Sequence, residues 1–179
     1  MVQRIRMREI TQTEQPYGPE QGQRDFGKVS ACLKDRVAAL DLEGIERGDL
    51  SWSREAIGRL VERHSRGHGF YLERLTPPVL KDNISGALTL LGVSILSRGS
   101  DGKWEVLGRR PTREALEVLQ IVEKQKETTA RAICAALKGL SMAACNNRLK
   151  DLLAAGLIVR EEGEPRGRGR PEFIYRALR

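Results

Sequence analysis

The order of helical and strand-like segments changes at Gly108–Pro111, and this change constrains the fold of the 179-residue chain more than any other feature. Before it, short apolar runs alternate with segments whose apolar residues recur at helical spacing. After it, three helical segments are followed by two short strands. Strands that alternate with helices are typical of a layered α/β domain. The pattern therefore predicts an α/β domain over residues 1–110 and a second, mainly helical domain over residues 111–179.

The first domain is predicted to contain a mixed sheet with helices. Apolar runs indicate strands over residues 2–10, 37–42, 70–72, 93–97 and 103–107. Apolar residues at helical spacing indicate helices over residues 24–36, 53–64 and 76–91. The stretch 11–23 is rich in Gln, Pro and Gly, which predicts a loop. The segment Gly99-Ser100-Asp101-Gly102 predicts a hairpin between the last two strands.

In the second domain, capping residues mark where helices begin. The predicted caps of the three helices are Thr112, Thr128 and Ser141. Apolar spacing turns four residues of the first helix inward, namely Leu116, Leu119, Ile121 and Val122. A tight turn at Gly139-Leu140 joins the second and third helices, and Gly156 ends the third. Strands over residues 157–160 and 172–177 complete the elements of a winged helix-turn-helix.

The second domain resembles a known family over residues 112–179. The segments RLKDLLAAGLIVREE and GRGRPEFIY are similar to those of bacterial and archaeal winged-helix regulators of the MarR/TrmB/PadR type. The resemblance implies a winged helix-turn-helix fold, binding to double-stranded DNA and a role in transcription regulation. Because one such domain covers little DNA, we expect a homodimer on paired half-sites, through either the first helix of this domain or the N-terminal sheet.

The third helix of this domain is the predicted DNA-reading element. Its apolar stripe, through Cys145, Leu149 and Leu152, leaves an opposite face with side chains that can reach base edges. Asn can pair with adenine, and Lys can reach guanine or a phosphate. The alternative is an ordinary solvated polar face. The predicted contact residues are Ser141, Ala143, Asn146, Asn147 and Lys150.

The loop between the two last strands places three arginines among glycines. These are Arg166, Arg168 and Arg170. Glycine lets a backbone approach the duplex closely, and Arg suits the electronegative minor groove of A·T-rich DNA. The alternative is a flexible basic turn. Residues 112–179 carry 13 Lys/Arg against 9 Asp/Glu, and the whole chain has a formal net charge of +7, which fits a polyanionic partner.

The first domain resembles STAS-like domains, the relatives of anti-sigma-factor antagonists, over roughly residues 22–97. The segments RDFGK, AALDLEGIE and SREAIGRL carry this resemblance. It implies a signal- or partner-binding domain and places Ser51 at a position that a partner protein kinase phosphorylates in relatives. The alternative is that Ser51 or Ser53 simply caps a helix. The second functional hypothesis is accordingly a protein-interaction switch whose winged helix binds protein.

The remaining chemistry-bearing residues predict neither an enzyme nor a metal protein. No catalytic set or cofactor motif is visible, and His64 and His68 lack a companion metal ligand. Cys32, Cys134 and Cys145 form no CxxC pair, which is typical of reduced thiols in a cytoplasmic protein. Cys134 and Cys145 lie on inward stripes and are expected to pack as small apolar residues, the alternative being a redox switch. No segment predicts a membrane span, so we expect no membrane partner.

Overall fold

The structure is a computed structural model that describes residues 2–65, 67–163 and 172–178. The chain divides into two compact units, Met1–Arg110 and Pro111–Arg179. The division falls within the stretch where the hydrophobic pattern of the sequence changes.

The first unit is an α/β structure built on a mixed sheet, as its alternating pattern predicts. The five strands are β1 (Val2–Arg6), β2 (Val37–Asp41), β3 (Gly69–Glu73), β4 (Ser94–Arg98) and β5 (Trp104–Gly108). They lie side by side in chain order. The strands β1 to β4 are parallel to one another, and β5 returns antiparallel to β4 as the predicted hairpin.

Helices cover one face of this sheet. They are α1 (Met7–Thr11), α2 (Gly18–Cys32), α3 (Leu50–Trp52), α4 (Arg59–His64) and α5 (Pro78–Leu91), and a π-helical segment, Ser53–Gly58, joins α3 to α4. Because successive parallel strands are neighbours and crossovers are right-handed, every connecting helix falls on the same side. Alternate strand residues, among them Ile5, Leu40 and Leu72, form the core beneath the helices.

The N-terminal segment differs from its prediction. The first strand ends at Arg6 rather than at residue 10, and the predicted loop 11–23 contains the first six residues of α2. The reason is visible at Gly22, which lies against Trp52 and Glu55. A Cβ at Gly22 would stand 2.7 Å from the Glu55 Cβ, so the glycine permits close helix contact rather than breaking the helix.

In its described residues, 111–163 and 172–178, the second unit combines three helices with a three-stranded antiparallel sheet. Its elements are α6 (Arg113–Gln125), β6 (Glu127–Thr129), α7 (Ala130–Ala136), α8 (Met142–Ala154), β7 (Ile158–Glu162) and β8 (Phe173–Ala177). The strand order is β6-β8-β7, so β8 is the central strand. The strand β6 has no counterpart in the sequence prediction.

Two of the three predicted helix caps are confirmed. The Thr112 hydroxyl accepts the amide of Ala115, and the Ser141 hydroxyl accepts the amide of Ala144, each at 3.2 Å. The prediction for Thr128 is wrong, because this residue belongs to β6 and is buried. Thr129 caps α7 instead.

The inward face of α6 also differs in part from the prediction. Leu119 and Val122 are buried as expected, whereas Leu116 and Ile121 are only partly buried. Ala115 and Val118 take the remaining core positions. The buried stripe therefore keeps two of the predicted residues and has Ala115 and Val118 in place of Leu116 and Ile121.

Candidate nucleic-acid interface

The helix α8 is anchored by one apolar face. Cys145, Leu149 and Leu152 are fully buried, and the helix packs against α6 and α7. Gly156 follows the helix with φ +71°, a left-handed conformation that glycine adopts without strain. These contacts fix the rotation of α8 about its axis and so determine which residues it presents outward.

The opposite face of α8 presents the residues that the sequence predicts. Ala143, Asn146, Asn147 and Lys150 are all exposed, as is the cap Ser141. Within the described residues, the Asn146 and Asn147 amides make no hydrogen bond and Lys150 makes no ion pair. The polar groups on this face are therefore available to a ligand.

The turn before α8 adds cations that the sequence prediction did not include. Gly139 has φ +88°, and the Leu140 amide donates to the Leu137 carbonyl at 3.1 Å, so the turn is tight. Lys138 in this turn and Arg131 in α7 are exposed. Their charge was visible in the sequence, but their exposure depends on how α7 packs.

The hairpin of β7 and β8 remains paired as far as Gly163, whose amide donates to the Glu172 carbonyl at 2.9 Å. On β7, the Arg160 guanidinium lies 4.1 Å from the ring centre of Phe173 on β8. The chain between these paired ends carries the three predicted wing arginines. Arg166, Arg168 and Arg170 lie outside the described residues.

Behind the outer face of α8, two cysteines lie near each other. The Cys145 thiol donates to the carbonyl of Ala130 at 3.6 Å, and Ala130 lies four residues before Cys134 on α7. Burial, and then the neighbouring Cys134 thiol, raises the pKa of the Cys145 thiol to about 12. The Cys145 thiol is therefore protonated at neutral pH.

In the first unit, Ser51 lies in the first turn of α3. The Asp49 side chain caps this helix by accepting the Trp52 amide at 2.8 Å, so the alternative in which Ser51 or Ser53 is the cap is wrong. Ser51 is partly exposed. Ser53 is fully buried, and its hydroxyl has no hydrogen-bond partner in the part of the chain that the structure describes.

The two histidines lie near each other but hydrogen-bond elsewhere. His64 Nε2 is 3.1 Å from the Ser30 hydroxyl, and His68 Nδ1 is 3.0 Å from the Asp35 carbonyl oxygen. Burial, followed by the charges of His68 and Arg63, lowers the pKa of His64. Among the described residues, no group of three or more His, Cys, Asp or Glu side chains could hold a metal ion.

No family model, curated protein or solved structure matches the chain. Across the described ranges, no helix is both long enough and apolar enough to cross a membrane.

Proposed function

We propose that the protein is a transcriptional regulator that binds double-stranded DNA through its second unit, a winged helix-turn-helix. The helices α7 and α8, their tight turn and the following hairpin supply the elements of this motif. The recognition helix of such a motif buries one face and shows the other to base edges in the major groove. The helix α8 has these two faces.

The observation that carries the proposal is the pair of exposed asparagine side chains on α8. Asn is a poor helix former because its side chain competes for backbone hydrogen bonds. Asn146 and Asn147 nevertheless lie side by side in mid-helix, exposed and without a hydrogen bond to any described residue. In the bidentate geometry of base recognition, the Asn side-chain NH2 group donates to adenine N7, and the Asn side-chain oxygen accepts from the adenine N6 amino group.

The proposed assembly is a homodimer, since two copies on inverted half-sites would bury enough DNA surface for tight binding. In this proposal the first unit is a STAS-like regulatory domain that receives a signal or binds a protein partner. The wing arginines would supply charge to the same duplex, and α8 would supply base recognition.

Replacing Asn147 by alanine should relax sequence preference without removing general affinity for DNA. We expect a loss of about 1–3 kcal/mol on the preferred site, because one base contact is lost, and little change in the salt dependence of binding. The preferred site is first selected from random duplexes by the parent protein. Binding isotherms on that site and on a scrambled duplex, at several salt concentrations, measure both quantities.

Gln120→Ala is the matched control for this variant, because Gln120 is an exposed uncharged residue on α6. It should bind both duplexes as the parent does. Equal discrimination by Asn147→Ala and the parent would contradict the proposed role of α8. Circular dichroism of all three proteins checks that the fold is retained.

A second candidate function is a protein-interaction switch in the first unit. The observation that favours it is that Asp49 caps α3, which leaves the partly exposed Ser51 hydroxyl without that structural role. A phosphate there would add roughly two negative charges near a helix N-terminus.

The substitution Ser51→Asp, which mimics part of that charge, should change partner binding or reporter expression in cells. Ser51→Ala should not respond to the kinase, and neither variant should alter the affinity of the purified protein for DNA. The measurement combines a reporter assay with binding isotherms. Wild-type behaviour of both variants in the reporter assay would rule out Ser51 as a switch.

A further inference from the structure

The contact between α7 and α8 brings together two thiols from different helices. Cys134 lies in the last turn of α7, and Cys145 lies on the buried face of α8. The Cys145 sulfur is 3.6 Å from the carbonyl oxygen of Ala130, the residue four positions before Cys134 on the same helix. Cys134 therefore lies one helical turn from that contact, on the helix that the Cys145 thiol touches.

The two thiols differ in their access to solvent. Cys145 is fully buried, whereas Cys134 is partly exposed. A small oxidant can therefore reach Cys134 first, because Cys145 is buried inside the unit. Cys32, the third cysteine, is exposed and belongs to the first unit.

We propose that Cys134 and Cys145 form a reversible disulfide that links α7 to α8 and weakens recognition of DNA. The part that concerns DNA rests on the function proposed above, whereas formation of the disulfide does not. The oxidant is a low-molecular-weight disulfide.

The reaction is a thiol–disulfide exchange in two steps. The Cys134 thiolate attacks one sulfur of the small disulfide, forms a mixed disulfide and releases one small thiolate, which takes up the proton lost by Cys134. The Cys145 thiol then loses its proton and attacks the Cys134 sulfur, which releases the second small thiol. Two protein thiols are oxidised, and one small disulfide is reduced to two thiols.

In this proposal the effect on DNA comes from a displacement of α8 relative to α7 when the bond closes. A disulfide holds its two sulfurs at about 2.05 Å, closer than any non-bonded contact between sulfur atoms. Since α8 carries Asn146 and Asn147 on its other face, even a small displacement of α8 misaligns them with base edges. Losing one such contact reduces affinity for the preferred site about tenfold.

The test uses the full-length protein in buffers that contain reduced and oxidised glutathione at set ratios. Peptide mapping by mass spectrometry without reducing agent should find one cross-linked pair of peptides, with Cys134 in one and Cys145 in the other. Cys32→Ser should form the same cross-link, and Cys134→Ser should form none. Dithiothreitol should reverse it. Absence of the cross-link in oxidised glutathione, or pairing of Cys134 with Cys32 instead, would overturn the inference.

A second measurement tests the effect on DNA and separates this inference from the proposed function. In the Cys32→Ser background, the oxidised protein should bind the preferred duplex about tenfold more weakly than the reduced protein, and Cys134→Ser should bind equally under both conditions. A cross-link without any change in affinity would refute the regulatory part. A reduced protein that binds no duplex at all would refute the proposed function and leave the cross-link as the test of the disulfide.

Discussion

Replacing Arg166, Arg168 and Arg170 together by alanine is expected to weaken binding to every duplex, whatever its sequence. If each arginine neutralises one phosphate, the slope of log affinity against log salt should become shallower by about 2.7. Between roughly 50 and 200 mM salt, the parent should then lose about 40-fold more affinity than the variant. Isotherms on the preferred and scrambled duplexes at several salt concentrations measure the slope.

The matched control keeps the positive charges and changes the side chains that carry them. Lysine at all three positions should preserve the salt slope, because each ammonium still releases one counterion, while losing the planar donor group of arginine. Equal affinity and equal slope for the alanine variant and the parent would show that this loop does not bind DNA. The protein-interaction hypothesis would then be preferred.

Replacing Trp52 by alanine should destabilise the first unit by about 3–5 kcal/mol. Trp52 is fully buried, and its indole Nε1 donates to the Asp25 carboxylate at 2.9 Å. Asp25 is itself only 1% exposed, and burial raises its pKa, with the hydrogen bond from Trp52 opposing that rise. The substitution leaves both a cavity and a buried carboxyl group without its donor.

Urea unfolding followed by circular dichroism measures this loss as a shift in the midpoint of the transition. Leu50→Ala is the control, because Leu50 lies two residues away on the same helix but is 41% exposed. It should shift the midpoint only slightly. An unchanged midpoint for Trp52→Ala would contradict the buried position of the indole and its hydrogen bond to Asp25 on α2.

The sequence alone was sufficient to predict those features of the structure that depend on residues close together in the chain. The start of α8 needs only the Ser141 hydroxyl and the amide of Ala144, three residues later. The exposure of Asn146 and Asn147 follows from helical periodicity once the apolar stripe is known. The sheet of the first unit was also predictable, because its strands are apolar runs between helices.

Long-range contacts explain what the sequence could not predict. The strand β6 is three residues long and all of its side chains are polar. It exists because it pairs with β8, about 45 residues further along the chain. The start of α2 depends on the fit of Gly22 against Trp52. The contact of Cys145 with Ala130, one turn from Cys134, depends on how closely α7 approaches α8, which the apolar pattern of either helix alone does not specify.

The order of the strands in the first unit has a consequence for how the chain acquires its structure. Because β1 to β4 lie beside one another in chain order, each strand needs only the strand made just before it as a template. No later strand must insert between two earlier ones, so the contacts stay short in sequence and loop closure costs less entropy. The sheet can therefore grow from one edge during synthesis, with the β4–β5 hairpin added last.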